Sequence, residues 1–294
     1  MEKQSLRPSP TALLNPRSDP AFKGIFTQGT EQSELALKSF LSAMIGRSVV
    51  QVTLQPNEPA VESTEQMQMT FDVSVRFDDG EFAEIEMQGQ KQKYDYKVRS
   101  EGQAARLLNS TIKKSNEWNL QKVYQITVLN FEHDKDDNKV LSWYTMKDSE
   151  GSSLGDRLNV IYLDLTKAEK LLEKSDTELK SYEKWDLFFA YEDDESKAVY
   201  LRKILESEKG LMAAHNTVET MSKCEENWAS QLSYENAILD WNTCINNARR
   251  EGVNDGVQQM ALRTAAAMLK KKYPIEDISE MTGLSIEKIQ EMSK

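Results

Sequence analysis

Apolar residues alternate at Phe71, Val73, Val75 and Phe77 and resume at Phe82, Ile85 and Met87. A period of two predicts two strands, each with a buried face. Asp78-Asp79-Gly80 between them predicts a tight turn, because Asp-Gly supplies the positive φ that a hairpin needs. The phase slips between Phe82 and Ile85, which predicts a bulge at Ala83-Glu84.

Around this hairpin the pattern predicts a mixed α/β chain. Asp19-Pro20 predicts a helix start, with Asp19 as cap and Pro20 at the first helical position. Phe22 and Phe26, four apart, anchor that turn. Leu35, Leu37, Leu41, Met44 and Ile45 predict a helix over 31–45 that Gly46 ends. Val49 to Leu54 reads as a strand and Pro56 to Glu65 as a loop. After Gln88 an apolar stripe of Tyr94, Tyr96, Val98, Leu107, Leu108 and Ile112 predicts a long helix. Strands follow at 122–131, 140–146 and 159–165. From Thr166 the texture is helical. Gly252 and Gly256 lie on one helix face, where another helix could approach closely. Pro274, Gly283 and Ser285 punctuate two short terminal helices, the spacing of a helix-turn-helix.

The polar phase of the hairpin carries the candidate chemistry. Asp72 sits early on the first strand, and Glu86 and Gln88 share a face of the second. Antiparallel pairing brings Asp72 towards them. Clustered carboxylates make a hard oxygen site of the kind Mg²⁺ prefers. Such an ion polarises a phosphate and lowers the pKa of an attacking water. The same pattern also fits an ordinary solvated strand face.

Composition narrows the classes. The chain has 294 residues and a net charge of −11, which counts against strong non-specific DNA binding. The helix after Gln88 runs against that balance: Lys91, Lys93, Lys97 and Arg99 make a basic flank beside the carboxylates that suits phosphates. No apolar run is long enough to span a membrane, and no apolar leader opens the chain, so a cytoplasmic protein is expected. Cys224 and Cys244 are too few for a disulfide framework and are expected as core thiols. With His133 and His215 far apart, zinc is not expected. The last helix, with Lys288 between Glu287 and Glu291, is a poor DNA reader and better suited to packing or dimerisation.

The segments LLNPRSDPAFKGIF, the Asp72 hairpin ending Glu86-Met87-Gln88, YEKWDLFFAYEDDESK, ARREGVNDG and MTGLSIEKIQEM together resemble the Rpn family. This is the recombination-promoting nuclease and transposase group of the PD-(D/E)XK superfamily. The resemblance implies a core of helix, three-stranded meander, helix and strand, in agreement with the order above. It implies that Asp72 and Glu86 bind the metal. The superfamily's Lys falls at position 88, where this chain and the Rpn family carry Gln, which can orient a water or phosphate but carries no charge. An upstream carboxylate often completes such sites; Glu31 and Glu34 are the candidates, with Glu34 the one assigned.

The expected organisation is a disordered tail (1–12), a PD-(D/E)XK restriction-endonuclease-like α/β domain (13–165), a helical region packed on it (166–247) and a C-terminal helical oligomerisation segment (248–294). The expected function is metal-dependent endonuclease cleavage of DNA. Mg²⁺, or another divalent cation such as Mn²⁺ or Ca²⁺, is the cofactor, and a homodimer forms through the C-terminal helices. The alternative is a nuclease-fold protein that has lost catalysis and acts as an interaction module through its helical part.

Overall fold

A computed structural model describes residues 5–57, 71–90, 95–112 and 119–293. Contacts divide the chain into two units, Met1–Tyr234 and Glu235–Lys294.

The first unit is built on a six-stranded sheet of order β1-β2-β3-β4-β6-β5. Its strands are β1 (Val52–Gln55), β2 (Val73–Phe77), β3 (Phe82–Gln88), β4 (Val123–Leu129), β5 (Leu141–Thr145) and β6 (Leu158–Asp164). β1, β2 and β3 form the antiparallel meander, β3, β4 and β6 are parallel, and β5 closes the far edge antiparallel to β6. The fold is mixed α/β, and its order of helix, three-stranded meander, helix and strand is the one expected from the sequence. The hairpin turns at Gly80 with φ +87°, which a residue with a Cβ rarely adopts. The expected bulge is absent: Val73, Ser74, Val75 and Arg76 pair without interruption with Ile85, Glu84, Ala83 and Phe82. The apparent slip arose because Phe82 points to the same face as Glu84 and Glu86, where Arg76 lies over its ring, while Ala83, Ile85 and Met87 keep an unbroken alternation on the other.

One sheet face packs on α1 (Asp19–Thr27), α2 (Glu31–Ile45), α4 (Ser181–Tyr191), α5 (Ala198–Ser207) and α6 (Lys209–Met221). The predicted helix over 31–45 is α2 to the residue, with Thr30 accepting from the Ser33 N–H at 3.1 Å and Gly46 left-handed at its end. α1 starts one residue earlier than expected, with Ser18 rather than Asp19 at the N-cap. Phe22, Phe26, Phe40, Trp185 and Phe189 interlock at the centre of this layer, Phe40 and Trp185 edge to face at 5.2 Å. Each such ring contributes about 1.5–3 kcal/mol by burial. Gly210 lets α6 lie against α2, because a Cβ there would overlap Ser39. Arg17 grips Asp193 with two bonds of 2.8 Å and donates to the Ala190 carbonyl at 2.9 Å, tying the start of α1 to α4. Both buried faces of α1 and its leading turn are therefore fixed, which leaves Asp19 and Lys23 held on its other side.

The opposite sheet face is covered by α3 (Tyr96–Ser110), with Tyr96, Ala104, Leu129, Val160 and Tyr162 as a second apolar cluster. β3 is thus buried on both sides.

Beyond α6 runs α7 (Glu225–Lys270), one helix of 46 residues where several were expected, and its course ignores Gly252 and Gly256. A Cβ at either glycine would meet nothing within 4 Å, so among the described residues no helix approaches there. In the second unit, α8 (Ile275–Thr282) and α9 (Ile286–Met292) bury Ile278 and Ile289 against Ala265 and Met268 of α7. Met281 and Ile286 stay exposed. Neither cysteine joins a core: Cys224 is half-buried and Cys244 exposed. No helix among the described residues is long and apolar enough to cross a membrane.

Candidate active site

Asp72 and Glu86 meet across the hairpin. The β2–β3 register runs from Val73 opposite Ile85, and its continuation sets Asp72 opposite Glu86. The Asp72 carboxylate is fixed by its Oδ2, which accepts from the Met87 N–H at 2.9 Å. Its Oδ1 faces Lys23 Nζ at 3.3 Å, and the same ammonium contacts Asp19 Oδ1 at 2.7 Å. Asp19 and Lys23 are one turn apart on α1, so a single helix face delivers both to the hairpin.

Glu86 is enclosed by α3. Gln103 Nε2 donates to its Oε1 at 2.5 Å and the Tyr96 hydroxyl to its Oε2 at 3.0 Å. Gln88 Nε2 donates to the same Oε2 at 3.4 Å, and Arg99 Nη2 lies 3.5 Å from Oε1. The Glu86 side chain is 2% exposed and that of Asp72 18%, so the pair runs from a closed interior to an open mouth. Tyr234 of α7 stands at that mouth: its hydroxyl would lie 3.6 Å from a Cβ on Gly89, and it feels the charges of Asp19, Asp72 and Lys23.

Burial raises both carboxyls. For Asp72 it outweighs the Met87 N–H and the Lys23 charge, and the neighbouring Asp19 adds to the rise. For Glu86 it outweighs Arg99, with Asp72 adding to the rise. Burial alone would lower the Lys23 pKa, but the bond from Asp19 and the charge of Asp72 hold it up. Two desolvated carboxyls, each raised by a neighbouring carboxylate, are a site that a cation stabilises.

The donor set suits a hard ion of a particular kind. Among the described residues no three His, Cys, Asp or Glu side chains converge as a metal site built from protein ligands alone. Mg²⁺ does not require that: it keeps several waters and takes one or two carboxylates together with substrate phosphates. Asp72 and Glu86 fit that demand.

The other predicted residues fall as follows. Glu34 lies on α2, exposed and ion-paired with Lys38, and among the described residues no hydrogen bond or ion pair links it to Asp72 or Glu86. The upstream carboxylate that shares a partner with Asp72 is Asp19. Lys91 and Lys93 lie outside the described residues. Lys97 pairs with Asp134 at 2.8 Å, whereas Arg99 reaches into the site. Lys23, Tyr96, Gln103 and Tyr234 were not singled out from the sequence. The i, i+4 spacing of Asp19 and Lys23 was the available signal for the first.

Beneath Glu86 the same face carries Glu84, Gln125 and Gln103, all nearly inaccessible. Among the described residues, Glu84 Oε2, Gln103 Oε1 and both polar atoms of the Gln125 amide have no hydrogen-bond partner. Burial, then the Glu86 charge, push Glu84 up to about 10. It therefore sits in the fold as a neutral acid at pH 7. A raised folded pKa means that the native state holds a proton the unfolded chain has released above about pH 4.3, so stability falls as pH climbs from there towards 10. Glu84→Gln removes that titration while keeping shape. Its thermal midpoint is expected to match wild type at pH 4 and to exceed it by several degrees at pH 8, since each kcal/mol gives about 2–4 °C in a domain of this size. Scanning calorimetry across that range checks this; a gap that does not widen with pH shows that Glu84 is ionised in the fold.

The chain belongs to the PD-(D/E)XK nuclease family transposases, whose family model matches residues 16–248. The match covers α1, the hairpin and α3. Searches of curated proteins and of solved structures gave no match.

Proposed function

We propose that the chain is a divalent-metal-dependent endonuclease that hydrolyses DNA phosphodiesters. Asp72 and Glu86 hold the ion, Mg²⁺ or another divalent cation such as Mn²⁺ or Ca²⁺. The observation that carries this reading is the Asp72–Glu86 pair, raised by burial and braced by Met87, Tyr96 and Gln103, in a member of a nuclease family. When bound, the ion polarises a phosphate oxygen and makes water a better nucleophile near neutral pH.

The chain's own residues do the rest. The Met87 N–H and the Gln103 and Tyr96 side chains orient the two carboxylates, as outer partners of metal ligands do. Both carboxyls must lose their protons before they act as ligands, so metal loading strengthens as pH rises. Lys23 supplies at Asp72 the positive charge that position 88 lacks, and it is placed to steady charge building on the phosphate. The Gln88 amide donates beside Glu86, where it orients water or a phosphate oxygen.

Pairing of two chains through the C-terminal helices fits the second unit. Val253, Val257, Met260 and Met281 are exposed and line an open groove of about 480 Å³. The same groove supports the second reading, an interaction module on a catalytically silent nuclease fold.

Supercoiled plasmid incubated with Mg²⁺, Mn²⁺ or Ca²⁺, with and without chelator, separates the two. Nicked and linear forms are expected with at least one ion and are lost on chelation. Intact plasmid with all three ions overturns the nuclease reading, and cleavage that survives chelation overturns the metal.

A further inference from the structure

The sheet has one more feature at the level of the active site. Gln88 pairs with Leu129, and Leu129 with Asp164. The Asp164 N–H donates to the Val140 carbonyl at 2.9 Å. One line across β3, β4, β6 and the entry of β5 thus joins Gln88 to Val140. Strands lie about 4.8 Å apart, so the two ends of this line are about 14 Å apart.

Val140 is in the wall of a cleft of about 390 Å³. Its lining includes Lys139 before β5, Lys167 and Lys170 on the 3₁₀ segment Leu165–Glu173, and Lys174 just after it. Glu183 of α4 is the single acid among the lining residues. Lys167 and Lys170, one 3₁₀ turn apart, face one side of their segment, and Lys174 follows just beyond it. Lys170 donates to the neutral amide of Asn138 at 3.3 Å. Lys174 meets Glu183 at 2.7 Å, and the nearly buried Lys167 stands 3.5 Å from Glu132 and 3.9 Å from Asp164. A chain with net charge −11 has thus gathered four cations against one acid in one concave place.

Lysine is a point charge with several donors and no acceptor, which suits phosphate oxygens rather than cations or apolar groups. The cleft lies beside the C-terminal end of β6, at the same end of the sheet as Gln88 on β3. A separation of about 14 Å is several times the 3.4 Å rise per nucleotide, so a phosphate held at the cleft is a different one from that at the active site. We infer that this cleft is a second phosphate-binding site, which holds a backbone phosphate of the same DNA a few nucleotides from the scissile bond. The inference rests on the reading of the chain as a protein that acts on DNA. The site fixes the register of the duplex across the sheet edge without reading its sequence, as backbone contacts do.

The test is duplex binding by full-length protein carrying Glu86→Gln, which binds without completing cleavage. Anisotropy of a labelled duplex is followed over about 50–200 mM salt in Mg²⁺. Lys139 and Lys170 are exposed, so Lys139→Gln with Lys170→Gln removes two charges without disturbing the core. Lys203→Gln with Lys209→Gln makes the same charge change at exposed positions of α5 and α6. The cleft pair is expected to bind roughly tenfold more weakly and to flatten the plot of log affinity against log salt by about 0.9 for each lost phosphate contact. The control pair should stay within about twofold of the parent, as expected where no phosphate contact is lost. Equal losses in the two pairs, or an unchanged slope in the cleft pair, overturn the site while leaving the nuclease reading intact. A parent protein that binds no DNA overturns both. Lys170→Gln alone repeats the measurement should the double variant show a lowered thermal midpoint.

Discussion

Asp72→Asn and Glu86→Gln are each expected to lower plasmid nicking by roughly a thousandfold or more, since each removes a charged ligand from a two-carboxylate site and several kcal/mol of charge stabilisation with it. The amide substitutions are the informative ones. Asn at 72 can still accept from the Met87 N–H, and Gln at 86 can still accept from Gln103 through its carbonyl oxygen while its amide N–H donates to the Tyr96 hydroxyl. Truncation to Ala instead leaves those buried donors unmatched, at about 1–3 kcal/mol each, and mixes a folding defect into the result. The burial that raises both carboxyls also sets the acid limb. Cleavage should fall on acidification from above the ordinary carboxylate range, because protonation competes with metal there. Wild-type rates in either amide variant, with the fold intact by circular dichroism, would sink the assignment of the site.

Short-range chemistry explains how much of this was legible. The hairpin could be read because its signals are local: period-two alternation and an Asp-Gly turn. The same holds for α2, bounded by Thr30 and Gly46, and for α8 and α9, separated by left-handed Gly283 and capped by Ser285. Asp72, Glu86 and Gln88 were found because strand register places them, and register follows from alternation. What escaped depends on packing between distant segments. Nothing in the pattern of α1 says that Lys23 will reach across to Asp72. The stripe on α3 announced a helix, but not that Tyr96 and Gln103 would be laid over β3 and close on Glu86. Glu84 entered the sequence reading only as part of an expected bulge, because nothing local tells a buried acid from a solvated one until its cover is known. The continuity of α7 was hidden by Gly252 and Gly256, each of which costs an exposed helix about 1 kcal/mol. Forty-six residues of helix absorb that cost where a shorter helix would break.

Gln88 stands where the resemblance to the superfamily implies a Lys, and its two substitutions are expected to diverge. Gln88→Ala removes a donor to Glu86 Oε2 but leaves Tyr96 and Gln103 in place, so Glu86 keeps its orientation. The loss then falls on the reacting water or phosphate, and cleavage should drop roughly tenfold to a thousandfold, the scale of one missing transition-state donor. Gln88→Lys keeps a donor at that position and adds a charge. The half-buried side chain has room for a longer group at the open end of β3, and Glu86 offers it a carboxylate partner. Its rate is expected to equal or exceed wild type. Lys23 limits the gain, because an ammonium already stands at Asp72, and two cations at one phosphate give diminishing returns. The double variant Lys23→Gln with Gln88→Lys distinguishes the sources of charge. If Lys23 supplies what position 88 lacks, Lys23→Gln alone is impaired and the added lysine restores much of the rate. A Gln88→Ala protein that cleaves like wild type, together with no rescue in the double variant, would make Gln88 a surface amide and leave Lys23 as a structural partner of Asp19 and Asp72.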